Sequence, residues 1–261
     1  KIISNLENFL IDYEIIFIDD GSIDSSWSVI KNLCSSSKKT KGVQFLKNYG
    51  KSMALSEGFK LAKGKIVITM DADLQDDPKE IIPLYKMITE NNYDIVSGWK
   101  KKRYDSLIFK NLPSKLFNFA ARLSSGISLN DFNCGIKAYK SDVIKEIELT
   151  SGMHRYIPVL AKKSGFHKIA EKIVKHHPRV HGNTKYGPDR FIKGFLDLIT
   201  LSFFSRFGKR PMHFFGLFGT LILVVGFFFS IYLGIDKLFI NNTGRLITER
   251  PEFYISLASM I

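Results

Sequence analysis

Residues 65 to 78 read KIVITMDADLQDDP, an apolar strand-like run that empties into Asp71, Asp73, Asp76 and Asp77, with Gln75 among them. Carboxylates this close repel one another, which is unfavourable at the end of a buried strand unless a cation relieves it. In an extended segment residues i and i+2 point the same way, so Asp71, Asp73 and Gln75 are expected to present three oxygen ligands on one side. Hard oxygens in that number suit Mg2+ or Mn2+, ions that usually keep open positions for substrate phosphates. A second acidic pair, Asp19 and Asp20, closes the apolar run in YEIIFIDDGS at residues 13 to 22.

The elements that must hold these residues follow from periodicity. YEIIFIDDGS and GVQFLKN (42 to 48) read as short buried strands, and the intervening SIDSSWSVIKNLCSSS places Trp27, Ile30 and Leu33 at helical spacing behind a Ser- and Asp-rich head. The alternation continues with SMALSEGFKLAKG as helix, KIVITMD as strand, DPKEIIPLYKMITENN as helix and YDIVSG as strand. Strands alternating with helices predict an α/β fold, a mostly parallel sheet with helices on both faces. Ligands of such sheets sit beyond the carboxyl ends of the strands, where both acidic groups fall. After Gly98 the periodicity weakens, through the basic stretch WKKKRYDSLIFKNLPSKLFNFAARL.

The chain of 261 residues carries a net charge of +13, which suits nucleic acid, anionic lipid or phosphorylated substrates alike; position separates them better than the total. From His213 to Ile235 the sequence HFFGLFGTLILVVGFFFSIYLGI lacks any Asp, Glu, Lys or Arg and is long enough to cross a bilayer as a helix. Arg206, Lys209 and Arg210 precede it, whereas Asp236 and Lys237 follow, which places the N-terminal part in the cytoplasm. Residues 189 to 207 put Phe191, Phe195, Leu198, Ile199 and Phe203 on one stripe, predicting an amphipathic helix at the membrane surface. The expected division is therefore a catalytic domain over 1–188, an interfacial helix over 189–210, a transmembrane helix over 211–235, a loop over 236–252 and the start of a second membrane segment over 253–261. Cys34 and Cys134 have no metal-ligand spacing and read as reduced cytosolic thiols.

Taken together, DDGSIDSS, NYGKSMALSEGFKLAKG, MDADLQDDP, DFNCGIKAY and HHPRVHGNTKYG resemble the family 2 glycosyltransferases. Within that family they are similar to the polyisoprenyl-phosphate glycosyltransferases related to dolichyl-phosphate mannose synthase. The match runs from Glu14 to the membrane segment, and five motifs in the right order make it specific. The resemblance implies a GT-A fold, a UDP- or GDP-linked nucleotide-sugar donor, a divalent metal and a polyisoprenyl-phosphate acceptor at the bilayer, with no nucleic acid partner. It also implies an opening strand ahead of residue 1 and a membrane helix continuing past Ile261, so the sequence reads as a fragment of a longer multi-pass protein.

Carried over by position, the resemblance makes Asp20 the contact to the donor's base or ribose, with Asp19 supporting the turn and Asn48 beside them. Carboxylates at a strand end suit the N–H groups of uracil or guanine and ribose hydroxyls. It assigns Asp71, Asp73 and Gln75 to the metal, with Asp71 also on the donor side and Asp73 catalytic. Lys100, Arg103, Lys110 and Ser114 fall where the family holds the lipid phosphate, and Arg155 and Pro158 match a pattern near the acceptor. Arg179 and Lys185 fall in a loop that closes over the donor phosphates, with Gly182 and Gly187 as hinges. Asp131 stands where a sugar acceptor would find its base; with an ionised phosphate as nucleophile it is expected to orient instead.

Two other functions compete. A metal-dependent nucleotidyltransferase accounts for the acidic strand end but not for the membrane segment or the basic stretch. A basic, non-catalytic membrane scaffold needs only the net charge and leaves the acidic cluster unexplained. GFKLAKGK fails the spacing of a phosphate loop. His176, His177 and His181 have no Cys or carboxylate at zinc-ligand spacing in the adjacent sequence.

Overall fold

The computed structural model describes all residues except 1, 8, 10, 102–117, 120, 123–124, 150–151, 179–195, 197–199, 201–202, 204–210, 241–245 and 261. The chain divides into two compact units, Lys1–Ser202 and Phe203–Ile261.

In the first unit, a short helix α1 (Ile2–Glu7) precedes strand β1 (Ile15–Asp19), helix α2 (Ser26–Ser36), strand β2 (Thr40–Gln44) and helix α3 (Lys51–Leu61). Strand β3 (Ile66–Thr69), helix α4 (Ile81–Asn91), strand β4 (Ile95–Trp99), strand β5 (Lys137–Lys140) and helix α5 (Ser141–Glu146) follow, then helix α6 (Ile157–Lys163) and strand β6 (Ile169–Ile173). β1 and β2 pair in parallel, and a second sheet has the order β3-β5-β4-β6. Within it β5 runs antiparallel to both neighbours, while β4 and β6 are parallel. The sheet is thus mixed, because β3, β4 and β6 share one direction and β5 alone opposes them.

Period-2 alternation explains the two layers of helices. Ile95 and Tyr139 face one side and join Phe59 of α3, Val143 and Ile144 of α5 and Ile157 of α6. Their neighbours Val96 and Ala138 face the other side and join Leu84 and Ile88 of α4. Full burial of an aliphatic side chain such as Leu84 contributes about 1.5–3 kcal/mol. At the Ser- and Asp-rich head of helix α2 the Ser26 amide donates to Asp24 Oδ1 (2.9 Å), while Ser25 makes no side-chain cap bond.

The reversed strand is what assembles the site. Because Thr69 pairs with Lys137 in antiparallel register, the residues that leave β3 lie beside those that enter β5. Ser97 also pairs with Lys137, and Trp99 pairs with Ile173, so Lys100 and the residues after β6 reach the same end. Sequence positions 71–77, 100, 131–137 and 174–178 therefore meet at one edge of the core.

In the second unit, helix α7 (Pro211–Ile235) continues as one π-helical turn through Asp236–Ile240, and helix α8 (Pro251–Met260) returns along it. The apolar stretch Met212–Phe239 is long enough to cross a bilayer and is almost wholly exposed. Ser256 Oγ donates to the Gly226 carbonyl (3.1 Å) and meets Ser230 Oγ (2.6 Å), while Arg250 pairs with Asp236 at the turn. These contacts satisfy polar groups that hydrocarbon would leave unpaired.

Candidate active site

The first wall of the site is the exit of β1. Asp19 is buried and accepts from the Ser22 amide (3.0 Å) and Gln44 Nε2 (3.3 Å), which fixes the turn. Gly21 sits in that turn at φ 73°, with the backbone carbon of Lys47 so close that a Cβ would approach it to 2.5 Å. Asp20 accepts from the Tyr49 amide (2.7 Å) and the Gly50 amide (3.0 and 3.3 Å), and its own carbonyl accepts from Asn48 Nδ2 (3.3 Å). Asp20 thus anchors the entry to α3, and a carboxylate retains lone pairs beyond these bonds for a ligand.

The second wall is the exit of β3, and here the predicted geometry is corrected. The strand ends at Thr69, and Leu74 takes φ 62°, so the period of two does not run through residues 71 to 75. Gln75 turns its amide toward the segment after β6, with Nε2 3.4 Å from the His177 carbonyl and 3.4 Å from His176 Nε2. Asp73 Oδ1 accepts from the Gln75 amide (3.2 Å) and so shapes the turn. Among the described residues, no group of three or more His, Cys, Asp and Glu side chains is gathered for a metal.

Asp71 instead meets Lys51, the first residue of α3, whose Nζ lies 2.5 Å from Oδ1. Burial alone would push the Asp71 carboxyl up, but Lys51, Lys100 and Lys137 outweigh it and hold the group below its ordinary value. A Cβ at position 135 would overlap the Asp71 carboxylate, so only glycine lets that side chain rest against the backbone before β5.

The floor is a turn and a buried lysine. Lys137 is 4% exposed and donates to the Phe132 carbonyl (3.1 Å) and to the Cys134 carbonyl. Burial pulls its pKa down against the attraction of its acidic neighbours. Asp131 is 1% exposed, and its Oδ1 accepts from the Asn133 amide (3.1 Å). Glu171 on β6 clamps this turn, accepting from the Asn130 amide (2.8 Å), Asn130 Nδ2 (2.8 Å) and the Asp131 amide (2.9 Å). Burial raises the Glu171 pKa, and the three donors only partly oppose it.

A charged seam joins the residues after β6 to the acidic turn. Lys100 Nζ lies 2.7 Å from buried Asp76, which is also 3.9 Å from His176 Nδ1. Burial opposes the charge on Lys100, but its acidic surroundings, Cys134 and Asp76 foremost, keep its pKa raised. His177 Nε2 lies 3.3 Å from Asp77 Oδ2, and its amide donates to the Gln75 carbonyl (2.8 Å). On the other side, Ser52 Oγ contacts His154 Nδ1 at 3.0 Å and accepts from the His154 amide (3.0 Å). Burial first, then Arg155, Lys51 and Lys137, push His154 down to about 3, so it is neutral at physiological pH.

Of the residues singled out in the sequence, Asp19, Asp20, Asn48, Asp71, Asp73, Gln75, Lys100, Asp131 and Arg155 are described. Arg103, Lys110, Ser114, Arg179 and Lys185 lie outside the described residues, as does most of the 189–210 segment. Lys100 is turned inward onto Asp76 rather than outward. Lys51, Lys137, His154 and Glu171 were missed, as was the pairing of Asp76 with Lys100. The one available signal was a charge where the pattern wanted none: Lys137 inside GIKAY and Glu171 inside IAEKI.

Comparison with known proteins decides the class. The sequence profile described as Glycosyl transferase family 2 matches residues 2–148. The chain belongs to that family. This glycosyltransferase is 34% identical over 251 residues to the dodecaprenyl-phosphate galacturonate synthase of Rhizobium johnstonii, an alignment covering 95% of the chain and 73% of the relative. It is 34% identical over 231 residues to the undecaprenyl-phosphate 4-deoxy-4-formamido-L-arabinose transferase of Aeromonas hydrophila, covering 88% of the chain and 68% of the relative. Among solved structures, glucosyl-3-phosphoglycerate synthase from Mycobacterium tuberculosis, in complex with Mn2+, UDP and glucosyl-3-phosphoglycerate, superposes with a TM-score of 0.57. That match covers 78% of the chain and 73% of the neighbour at 18% identity, and it supports the GT-A fold.

Proposed function

We propose that this glycosyltransferase moves a sugar from a UDP- or GDP-linked donor to a polyisoprenyl phosphate at a membrane surface, with inversion at the anomeric carbon. The observation that carries the proposal is that the start of α3 joins the two acidic strand ends: the amides of Tyr49 and Gly50 bond to Asp20, and the next residue, Lys51, pairs with Asp71. Two of its relatives are named for dodecaprenyl and undecaprenyl phosphate, and the apolar helix α7 would keep the enzyme where such lipids reside. The basic residues ahead of α7 favour a cytoplasmic catalytic unit.

The donor set fits a divalent cation. Asp71 is held anionic and cradled against Gly135, and Asn133 Oδ1, two residues before that glycine, is buried without a hydrogen-bond partner among the described residues. Mg2+ or Mn2+ held by Asp71 and Asp73 would supply positive charge at the departing nucleoside diphosphate. The M. tuberculosis neighbour was solved with Mn2+ and UDP.

The remaining chemistry falls to the protein's own groups. Asp20 binds the base or ribose beside Asn48, with its carboxylate already oriented by the amides of Tyr49 and Gly50. Arg179 and Lys185 neutralise the diphosphate, and Arg103, Lys110, Ser114 and Arg155 form the acceptor side, which Lys100 joins only by leaving Asp76. A phosphate monoester is largely ionised near neutral pH, so the nucleophile needs no strong base. Asp131, locked by backbone and by Glu171, orients rather than deprotonates.

The test incubates the whole protein in membranes with labelled UDP- and GDP-sugars and polyisoprenyl phosphate, followed by lipid extraction. Acid-labile sugar phosphate in the lipid fraction, lost in Asp73→Asn, is expected. Nucleotide release with no labelled lipid would overturn the acceptor assignment, and full transfer by Asp73→Asn would overturn the metal assignment.

A further inference from the structure

Resting on the metal assignment above, we infer that Lys51 is a built-in cation that occupies Asp71 until metal and nucleotide arrive together, so that loading of the site is an exchange of one cation for another. The ammonium lies 2.5 Å from Asp71 Oδ1, and both side chains are 37% exposed, neither locked in the core nor free in solvent. A divalent cation binding Asp71 through the same oxygen must displace it.

The placement of Lys51 makes the exchange directional. It is the first residue of α3, and the two residues before it, Tyr49 and Gly50, give their amides to Asp20. Lys51 therefore stands between the group assigned to the nucleoside and the group assigned to the metal, which is where a diphosphate joining the two would lie. Once displaced by metal alone, the ammonium has lost its anion inside a site already holding Lys100 and Lys137, both of which act on Asp71. With a nucleoside diphosphate present, the displaced ammonium regains a partner of opposite charge. Metal alone thus binds against the cost of breaking an ion pair, and metal with nucleotide does not.

The consequence is measurable without turnover. Mn2+ binding to the whole protein in detergent, followed by the electron paramagnetic resonance of free Mn2+, is compared for wild type and Lys51→Met, with and without UDP or GDP. Lys51→Met keeps the length of the stem and removes the charge; Lys51→Gln replaces it if the first variant does not accumulate. Without nucleotide the variant is expected to bind Mn2+ about tenfold more tightly than wild type, a difference that shrinks towards zero when UDP or GDP is added. Lys60→Met, on the same helix and exposed, is expected to change neither value. Adding Asp71→Asn to Lys51→Met is expected to remove the gain, since the two residues act as a pair.

A Lys51→Met protein that binds Mn2+ no more tightly than wild type without nucleotide would overturn the exchange, as would a gain that survives Asp71→Asn. If wild type binds Mn2+ through Asp71 when nucleotide is present but Lys51→Met gains nothing without it, the exchange alone fails. If no form binds Mn2+ under any condition, the metal assignment itself fails, and the exchange with it.

Discussion

Asp71 and Asp131 flank the same turn before β5, yet the protein holds them in opposite ways. Asp131 is sealed from solvent and tied through the main chain: its oxygen accepts the Asn133 amide, and its own amide donates to Glu171. Asp71 is partly open and is held by the tip of one flexible lysine. Backbone amides cannot leave without distorting the chain, whereas a lysine stem can swing away at little cost. The contrast separates a carboxylate that is part of the frame from one kept available for exchange.

The sharpest way to break that comparison is Asp71→Asn. If Asp71 serves chemistry rather than the frame, transfer should fall by about 10²–10³-fold, the scale typical for loss of one preorganised charge-stabilising group. The midpoint of thermal unfolding at pH 7 should fall only by the modest contribution of the Lys51 ion pair. A large drop in melting temperature with modest loss of transfer would place Asp71 in the frame instead.

Glu171→Ala tests the other half. It strands the amides of Asn130 and Asp131, and a loss of about 1–3 kcal/mol in stability is expected from unsatisfied donors. Transfer should fall roughly tenfold to a hundredfold because the Asp131 turn is misplaced, in keeping with the sensitivity of catalysis to small displacements. Glu171→Gln, which retains an acceptor oxygen, should recover most of both. Failure of that rescue would mean that charge, not geometry, is what Glu171 contributes.

The two carboxylates should also differ in pH dependence. The Asp71 pKa is lowered from its ordinary value of 3.8, so its contribution to stability is present above that value and is lost as pH falls through the lower folded one. Glu171 is raised above 4.5, so its ionisation costs stability, and the cost appears as pH rises through the raised folded value. Melting curves should show Asp71→Asn converging on wild type below about pH 4, and Glu171→Gln gaining relative to wild type as pH rises above about 5. Parallel curves for all three proteins would contradict both assignments.

The smallest effect is expected in the second unit. Ser256→Ala removes the bond to the Gly226 carbonyl and the contact with Ser230 between α7 and α8. Polar contacts of this kind average about 0.6 kcal/mol in membrane helices. A small loss of thermal stability in membranes with unchanged transfer is expected. A large loss of transfer would show that this helix pair acts on the site.

The sequence was most informative where chemistry is written in adjacent residues. Asp19 and Asp20 after an apolar strand, the MDADLQDD run, the DFNCG turn and the charge-free span of α7 are each local signals, and they were enough for the fold class and the glycosyltransferase family. Local logic failed once at Gln75, where period-2 geometry was extended past the strand; the left-handed Leu74 breaks it, and nothing in the alternation of residue types marks that turn. The seam between Asp76, Asp77, His176 and His177 was equally hidden, because its partners lie about 100 residues apart.

What the sequence by itself determined was which residues carry charge at strand ends and which segments must be buried, since hydrophobic period and charge density are properties of neighbouring positions. What only the tertiary structure decided was which charges face one another. The antiparallel insertion of β5 between β3 and β4 brings Gly135 against Asp71 and the turn before it within reach of Glu171, while Lys51 meets Asp71 from α3. Those pairings depend on strand order and register, which arise from packing the whole sheet and not from any stretch of residues read alone.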